Sequence, residues 1–406
     1  GYQTLITNTI GTNNTAVGVN CMYYNTTGSS NTAVGRSALQ NNTIGSTNSA
    51  FGHYALLNNT TGGGNTAVGK SSLSGNTFGK YNSAFGYQSL FSNTTGDFNS
   101  AFGFQSLRNN TIGTNNSAFG IYALQSNTTG VKNVAVGRSA LQGNTIGASN
   151  SAFGYRALRY NTIGTNNNAF GQNALFSNTT GTHNVAFGRD ALSSNAIGTN
   201  NCAFGSYALT SNTTGRNSAF GYRALRLNTT GTHNAAFGYK TLETNTFGVY
   251  NSAFGSLVLA SNTTGNHNSA FGYGSMKLNT IGVRNSAFGY GVMVQNVSGS
   301  NNTAVGFQAL YYNTTNNNSA FGYKALFANT IGVSNTAVGY QVLLNNTTGN
   351  NNSAFGQQAL INNTTGGNNT AVGLNSLLSN VVGNRNNAFG VYALRNNTTN
   401  NNNAFG

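Results

Sequence analysis

The chain repeats one short pattern along its whole length. The tripeptide Ala-(Phe/Val)-Gly ends at Gly18, Gly35, Gly52 and so on to Gly406, and of the 24 intervals that start at Gly1, 21 are 17 residues long and three are 16. We number each repeat from this glycine as phase 0, so that the preceding Phe or Val is phase 16. Seventeen residues are too few for two helices, but they fit one coil of a parallel β-solenoid built from short strands and tight turns.

The pattern inside one repeat predicts its local structure. The stretch Asn-(Ser/Thr)-Ala-(Phe/Val)-Gly predicts a strand because β-branched and aromatic residues alternate in it. Ala-Leu-x-x-Asn predicts a second, shorter strand, and Thr-(Thr/Ile)-Gly predicts a turn. At phase 10, Asn316 and Asn400 replace the usual glycine. This swap favours a left-handed backbone at phase 10, since Gly and Asn tolerate that conformation best.

Charged residues occupy only part of each repeat. They make up 5 % of the chain, against about 25 % in typical domains. All 18 Lys and Arg, the 3 acids and the 4 His fall at phases 1, 2, 5, 11 and 12, whereas phases 13 to 16 and phase 0 carry no charge. We therefore expect both faces of the strand to be covered. In this interpretation the Phe/Val column fills the coil interior, and the Ala and Gly columns form a flat surface against another sheet. The alternative is that Ala and Gly satisfy a tight bend.

Identical residues in successive coils predict ladders along the stacking direction. Asn is invariant at phases 7 and 13 in all 24 repeats, and stacked Asn side chains can hydrogen-bond to one another and to a turn backbone. The predicted structural ladders include Asn8, Asn25 and Asn42 at phase 7, Asn14, Asn31 and Asn48 at phase 13, Phe51, Phe85 and Phe102 at phase 16, and Gly18, Gly35 and Gly52 at phase 0.

The same asparagines suggest a competing interpretation as glycosylation acceptors. Asn25, Asn58 and Asn59 each match the Asn-x-Ser/Thr pattern. Asn42, however, is followed by Thr43-Ile44 and matches no acceptor pattern, yet phase 7 keeps Asn there too. We therefore expect the phase 7 Asn to serve the structure first.

The residues that usually carry chemistry are scarce. Asp97, Asp190 and Glu243 are the only acids and lie in distant coils, so positioned carboxylates for acid–base catalysis are not expected. Cys21 and Cys202 are more than ten coils apart, beyond disulfide reach at about 4.8 Å per coil. We predict no enzymatic activity, no metal site and no cofactor.

The net charge of +15 is spread singly over five phases. We interpret it as solubility through self-repulsion and expect no nucleic-acid partner. Tyrosines share the basic phases, so a Tyr-bearing flank could bind a glycan or another surface ligand. No apolar run of about 18 residues exists that could cross a membrane.

The repeats predict a single continuous array over residues 1–406. No signal peptide is visible. We expect this array to be a segment of a longer chain whose capping and anchoring parts lie outside it. A core of one Leu, one Phe and one or two Ala per coil is thin, so lateral self-association as a homo-oligomer, either a trimer or a filament, is expected.

The recurring segments Asn31-Thr32-Ala33-Val34-Gly35 and Asn99-Ser100-Ala101-Phe102-Gly103 resemble the head repeats of YadA-like trimeric autotransporter adhesins, of the Hep/Hag β-roll type. The resemblance covers the whole chain, although the period of 17 is longer than the usual head repeat. It implies a parallel β-roll that trimerises at the cell surface and binds host matrix or glycans.

Together these observations predict a structural protein of an extracellular or cell-surface fibre with adhesin-like attachment. Three alternatives remain: a phage or viral tail fibre, an ice-binding solenoid that uses the Thr column at phase 8, and a glycan-degrading enzyme that depends on Asp190.

Overall fold

A computed structural model describes every residue of the chain, from Gly1 to Gly406. It confirms the all-β class and the parallel β-solenoid: 24 strands of three residues each, one per coil, and no helix. The chain forms two compact units, Gly1–Ala203 and Phe204–Gly406. No helix is present that could cross a membrane.

In the first unit the strands pair in parallel and in chain order, residue for residue between neighbouring coils. Ala50, for example, lies beside Ala33 on one side and Ala67 on the other. The strands are β1 Thr15–Val17, β2 Thr32–Val34, β3 Ser49–Phe51, β4 Thr66–Val68, β5 Ser83–Phe85, β6 Ser100–Phe102, β7 Ser117–Phe119, β8 Val134–Val136, β9 Ser151–Phe153, β10 Asn168–Phe170 and β11 Val185–Phe187.

The strand β12 comprises Cys202–Phe204. In the second unit the next twelve strands pair in the same parallel, in-register manner. They are β13 Ser218–Phe220, β14 Ala235–Phe237, β15 Ser252–Phe254, β16 Ser269–Phe271, β17 Ser286–Phe288, β18 Thr303–Val305, β19 Ser319–Phe321, β20 Thr336–Val338, β21 Ser353–Phe355, β22 Thr370–Val372, β23 Asn387–Phe389 and β24 Asn403–Phe405.

The interior of each coil is narrow. It holds the Ala of phase 15, the Leu or Met of phase 4 and the small residue of phase 3, and Ala50, Leu39 and Ala38 are fully buried. Successive side chains of a strand point to opposite faces, so an inward phase 15 forces phases 14 and 16 outward. The prediction that Phe fills the interior is therefore wrong: Phe51 is 40 % exposed.

The second predicted strand does not form. Residues at phases 2, 4 and 12 have left-handed backbones; examples are Ser37 (φ 54°), Leu39 (φ 53°) and Thr47 (φ 59°). A strand requires negative φ, so phases 1 to 7 form a chain of turns instead. This segment still stacks through backbone hydrogen bonds, because the Leu39 amide donates to the Ala55 carbonyl of the next coil at 3.0 Å. Those bonds and the burial of Leu offset the cost of a left-handed residue, about 1–2 kcal/mol each.

Candidate functional site

The phase 7 asparagines from Asn25 to Asn380 form a buried, hydrogen-bonded ladder, in which only Asn380 Oδ1, at the last buried position, has no hydrogen-bond partner. Asn42 Nδ2 donates one hydrogen bond to Asn25 Oδ1 of the preceding coil at 2.7 Å and another to the Gly45 carbonyl of its own coil at 2.8 Å. Asn25 makes the equivalent bonds to Asn8 and Gly28, at 2.7 and 3.0 Å. Both amide hydrogens are thus used inside the protein, as a buried amide requires.

The phase 13 asparagines form a second ladder that meets the first. The Asn48 backbone amide donates to Asn31 Oδ1 at 2.9 Å, and Asn31 Nδ2 donates to the Gly45 carbonyl at 2.9 Å. Gly45 therefore accepts from Asn31 and from Asn42 at once. We call this three-residue arrangement the Asn–Gly node. Asn14 and Asn25 build the same node on Gly28.

The phase 10 glycine is required for space and not for a left-handed backbone. A Cβ on Gly45 would come within 2.5 Å of Asn42 Oδ1 and 2.8 Å of Asn59 Nδ2, which is closer than real Cβ atoms approach. Asn316 and Asn400 do not have positive φ. The prediction of a left-handed phase 10 is therefore wrong. In these two shorter coils the carbonyls of Thr315 and Thr399 accept the hydrogen bonds that the glycine carbonyl accepts elsewhere, so Asn316 and Asn400 lie outside the crowded position.

The phase 0 glycines do need their special backbone. Gly18, Gly35 and Gly52 have φ of 142°, 133° and 135°. A Cβ on Gly52 would lie 2.7 Å from the Gly69 carbonyl oxygen of the next coil. The interpretation that glycine satisfies a tight bend is therefore correct for this column. The phase 0 glycines do not form a flat surface for another sheet.

The Phe column at phase 16 stacks ring on ring outside the coil. Phe85 and Phe102 lie 4.6 Å apart between ring centroids, with 7° between their planes, while Phe51 lies between Val34 and Val68. The second unit has the longest such stack, with centroid distances of 4.6 to 4.9 Å. It comprises Phe204, Phe220, Phe237, Phe254, Phe271 and Phe288.

Phases 14 and 16 together form what we call the outer strand face. Its residues are half-buried or exposed in every coil, so no part of this chain covers it, and the prediction of a strand covered on both faces is wrong for the single chain. The face is nevertheless free of charge from end to end. Six partly exposed Phe rings present on the order of 400 Å² of apolar surface, a size comparable to the largest apolar patch of a typical monomer, which is often functional.

The turn edge at phases 8 and 9 is also uncharged. Thr43 Oγ1 donates to the Thr60 carbonyl of the next coil at 3.0 Å, and Thr60 Oγ1 repeats the bond to Thr77 at 3.1 Å. These hydroxyl groups link neighbouring coils, so their hydrogens are not available for hydrogen bonds to ice. Many phase 9 residues are apolar and exposed, such as Ile44 at 54 % and Phe78 at 55 %.

Aromatic residues on the phase 1 flank stack like those of the strand. Tyr87 and Phe104 lie 5.2 Å apart with 15° between their planes, and Tyr222 and Tyr239 lie 5.8 Å apart with 13°. Rings stacked in this way cover each other's faces and expose their edges. A sugar needs a free ring face to stack on, so only the last ring of such a stack could offer one.

The three proposed glycosylation acceptors differ in access. Asn25 and Asn59 are fully buried in the phase 7 ladder, and Asn59 Nδ2 donates to Asn42 Oδ1 and the Gly62 carbonyl. Asn58, at phase 6, is exposed and accepts a hydrogen bond from Asn41 Nδ2 at 3.0 Å. Among the three, only Asn58 presents its amide to solvent.

The acidic residues are engaged with polar and basic neighbours. Asp190 lies 3.2 Å from Arg189 Nε, and Glu243 lies 3.6 and 3.2 Å from Arg223 and Arg226. Asp97 accepts from the Lys80 backbone amide at 2.7 Å. No group of three or more His, Cys, Asp or Glu side chains could hold a metal ion.

The two cysteines are both free and lie in different environments. Cys21, at phase 3, is fully buried, and burial raises the pKa of its thiol to about 11. Cys202, at phase 14, lies half-buried on the outer strand face, and partial burial raises the pKa of its thiol as well.

No protein-family model, no curated protein and no solved structure matches this chain.

The phase 7 ladder predicts a large difference between two adjacent substitutions. Asn59→Asp replaces an amide that donates twice with a carboxylate that faces Asn42 Oδ1 and the Gly62 carbonyl. We expect a loss of stability of about 3 kcal/mol or more, because a buried charged group would be left without its hydrogen bonds. Urea unfolding of the purified variant measures it.

Asn58→Asp is the matched control, since it makes the same chemical change one residue away on an exposed side chain that acts as an acceptor. We expect a change within about 0.5 kcal/mol. Equal losses for both variants would contradict the ladder.

The cysteines predict selective thiol labelling. The thiolate is the reactive form, and Cys21 is buried with a pKa near 11. At pH 8 a maleimide should therefore modify Cys202 in the folded, dispersed chain and leave Cys21 unmodified, with both modified in urea. Mass spectrometry of tryptic peptides distinguishes the sites, and modification of Cys21 in the folded chain would contradict the placement of phase 3.

Proposed function

We propose that this chain is a structural element of an extracellular or cell-surface fibre, in which copies of the chain associate through the outer strand face. One observation carries the proposal: in each of the two units, the outer strand face carries a column of partly exposed Phe and Val side chains, and no coil places a charged residue on this face. Charges occupy phases 1, 2, 5, 11 and 12 on the other flanks, whereas this face, like the turn edge at phases 8 and 9, carries none.

The physics of parallel sheets supports a second layer on this face. Such sheets usually have both faces covered, and the inner face of each coil is already packed. A second copy would bring an identical, uncharged surface, so that no ion has to be buried on contact. The +15 charge, located at phases 1, 2, 5, 11 and 12, would remain in solvent.

Two assemblies meet this requirement, a trimeric head of the YadA-like type and a laterally packed filament. The resemblance of the repeats favours the trimer and, with it, adhesin-like attachment to a host surface or glycan. Asn58 is the candidate glycosylation site that this proposal retains, because Asn25 and Asn59 are buried.

Substitution of one Phe in the stack tests the proposal. Phe254→Lys places a charge in the middle of the outer strand face, where the side chain can still reach solvent in an isolated chain. We expect sedimentation velocity to show an oligomer for the unmodified chain and a shift to monomer for the variant. Protection of Cys202 from maleimide in the oligomer, lost in the variant, would support the same contact.

Phe307→Lys is the matched control. It also removes a ring stacked between two others, at 5.3 Å from Tyr290 and from Tyr323, but at phase 1, where Lys70 occurs naturally. We expect this variant to assemble as the unmodified chain does. A monomeric unmodified chain at high concentration, or normal assembly of Phe254→Lys, would refute the proposal.

A further inference from the structure

Two adjacent coils of the second unit differ from all others at phase 2. Gly274 and Gly291 occupy this phase, which bears a side chain in each of the other 22 coils. The backbone does not require glycine there: Gly274 and Gly291 have φ of 63° and 60°, and Leu257 and Gln308 in the neighbouring coils have 58° and 54°. A Cβ on Gly274 would meet no atom within 4 Å.

The missing side chains leave a trough of about 200 Å³ on the surface. Its floor is formed by the two glycines, one wall by Tyr273 and Tyr290, and the opposite wall by Lys277, Val294 and Tyr311, with Gln308 also lining it. Pockets for drug-sized ligands span about 300–1,000 Å³, so this trough suits a ligand with a single ring.

In the tyrosine wall, Tyr273 has one ring face that no other ring covers. Tyr273 is the first member of a phase 1 stack that continues through Tyr290 and Phe307 at 5.3 Å per step. The preceding coil has Ser256 at phase 1, so no aromatic ring stacks on the other side of Tyr273. Tyr273 and Tyr290 are each 51 % exposed, and their hydroxyl groups, with the amide of Gln308, can bond to a polyol.

The opposite wall supplies a single positive charge. Lys277 is exposed and forms no ion pair, because the ion pairs of the chain involve only Asp190 and Glu243. The closest acid along its column, Glu243, is held by Arg223 and Arg226. A carboxylate on the ligand would give Lys277 the partner that the chain does not provide.

We propose that this trough binds one residue of an acidic saccharide, with the sugar ring over the two glycines, its hydroxyl groups on the tyrosine and glutamine side chains, and its carboxylate on Lys277. The site deepens the attachment part of the proposed function and rests on it for its biological role, although binding itself requires no assembly.

Titration calorimetry with glucuronic acid, glucose and acetate tests the proposal on the full chain. It should be done in the Phe254→Lys background, so that a failure of binding and a failure of assembly are separate results. We expect glucuronic acid to bind with a millimolar Kd and glucose and acetate to bind at least tenfold more weakly. Equal binding of acetate, equal binding of glucose, or no binding of glucuronic acid would overturn the proposal.

Filling the trough tests its location. The double variant Gly274→Gln/Gly291→Gln should abolish binding, and the fold should accept it because Gln88, Gln105 and Gln341 occupy phase 2 with φ of 51° to 54°. Leu257→Gln, which places the same side chain one coil away, is the control and should leave binding unchanged. Lys277→Gln should remove the preference for glucuronic acid over glucose. Binding that survives the filled trough, or a preference for glucuronic acid that survives the loss of Lys277, would overturn the assignment.

Discussion

The structure depends on the Asn–Gly node, in which the carbonyl of the phase 10 glycine accepts a hydrogen bond from its own coil and another from the coil before. The two donors, such as Asn42 and Asn31 on Gly45, also continue their own ladders. Each node therefore links three elements: a turn, the start of a strand and the neighbouring coil. An Asn left without its partners in this buried position would cost about 1–3 kcal/mol, and this cost applies separately to each coil that contains the node.

The node explains the other invariant features of the repeat. It fixes the turn between phases 7 and 13, so the strand that follows always presents Ala inward and Phe or Val outward. The interior of each coil has space only for Leu, Ala and a small residue, so the coil is thin. The remaining apolar side chains, those of the phase 16 Phe and Val, therefore lie outside it. These side chains form the outer strand face, and they are why a chain with a packed, hydrogen-bonded interior still exposes stacked rings. The charged phases 1, 2, 5, 11 and 12 lie outside the strand.

The repeat length, the solenoid class, the strand at phases 14 to 16 and the Asn ladders could be predicted from the sequence, because each follows from a residue type that recurs at one phase. The direction of Phe51 and its column could not, since alternation along a three-residue strand fixes which residues share a face but not which face is inside. The left-handed residues at phases 2 and 4 gave no sequence signal, because Ser37 and Leu39 are not residues that favour that conformation. Gly274 and Gly291 can be read from the sequence, but only the backbone geometry shows that glycine is not required at these two positions.

Side-chain amide exchange tests the Asn–Gly node most directly. In a chain labelled with ¹⁵N only at asparagine, NMR spectra recorded after transfer to D₂O should show two populations. The account predicts that the ladder amides at phases 7 and 13 remain visible for hours, whereas exposed amides such as that of Asn58 disappear within the dead time. Loss of all Asn side-chain signals at the fast, exposed rate would show that the ladders do not exist and would contradict the account.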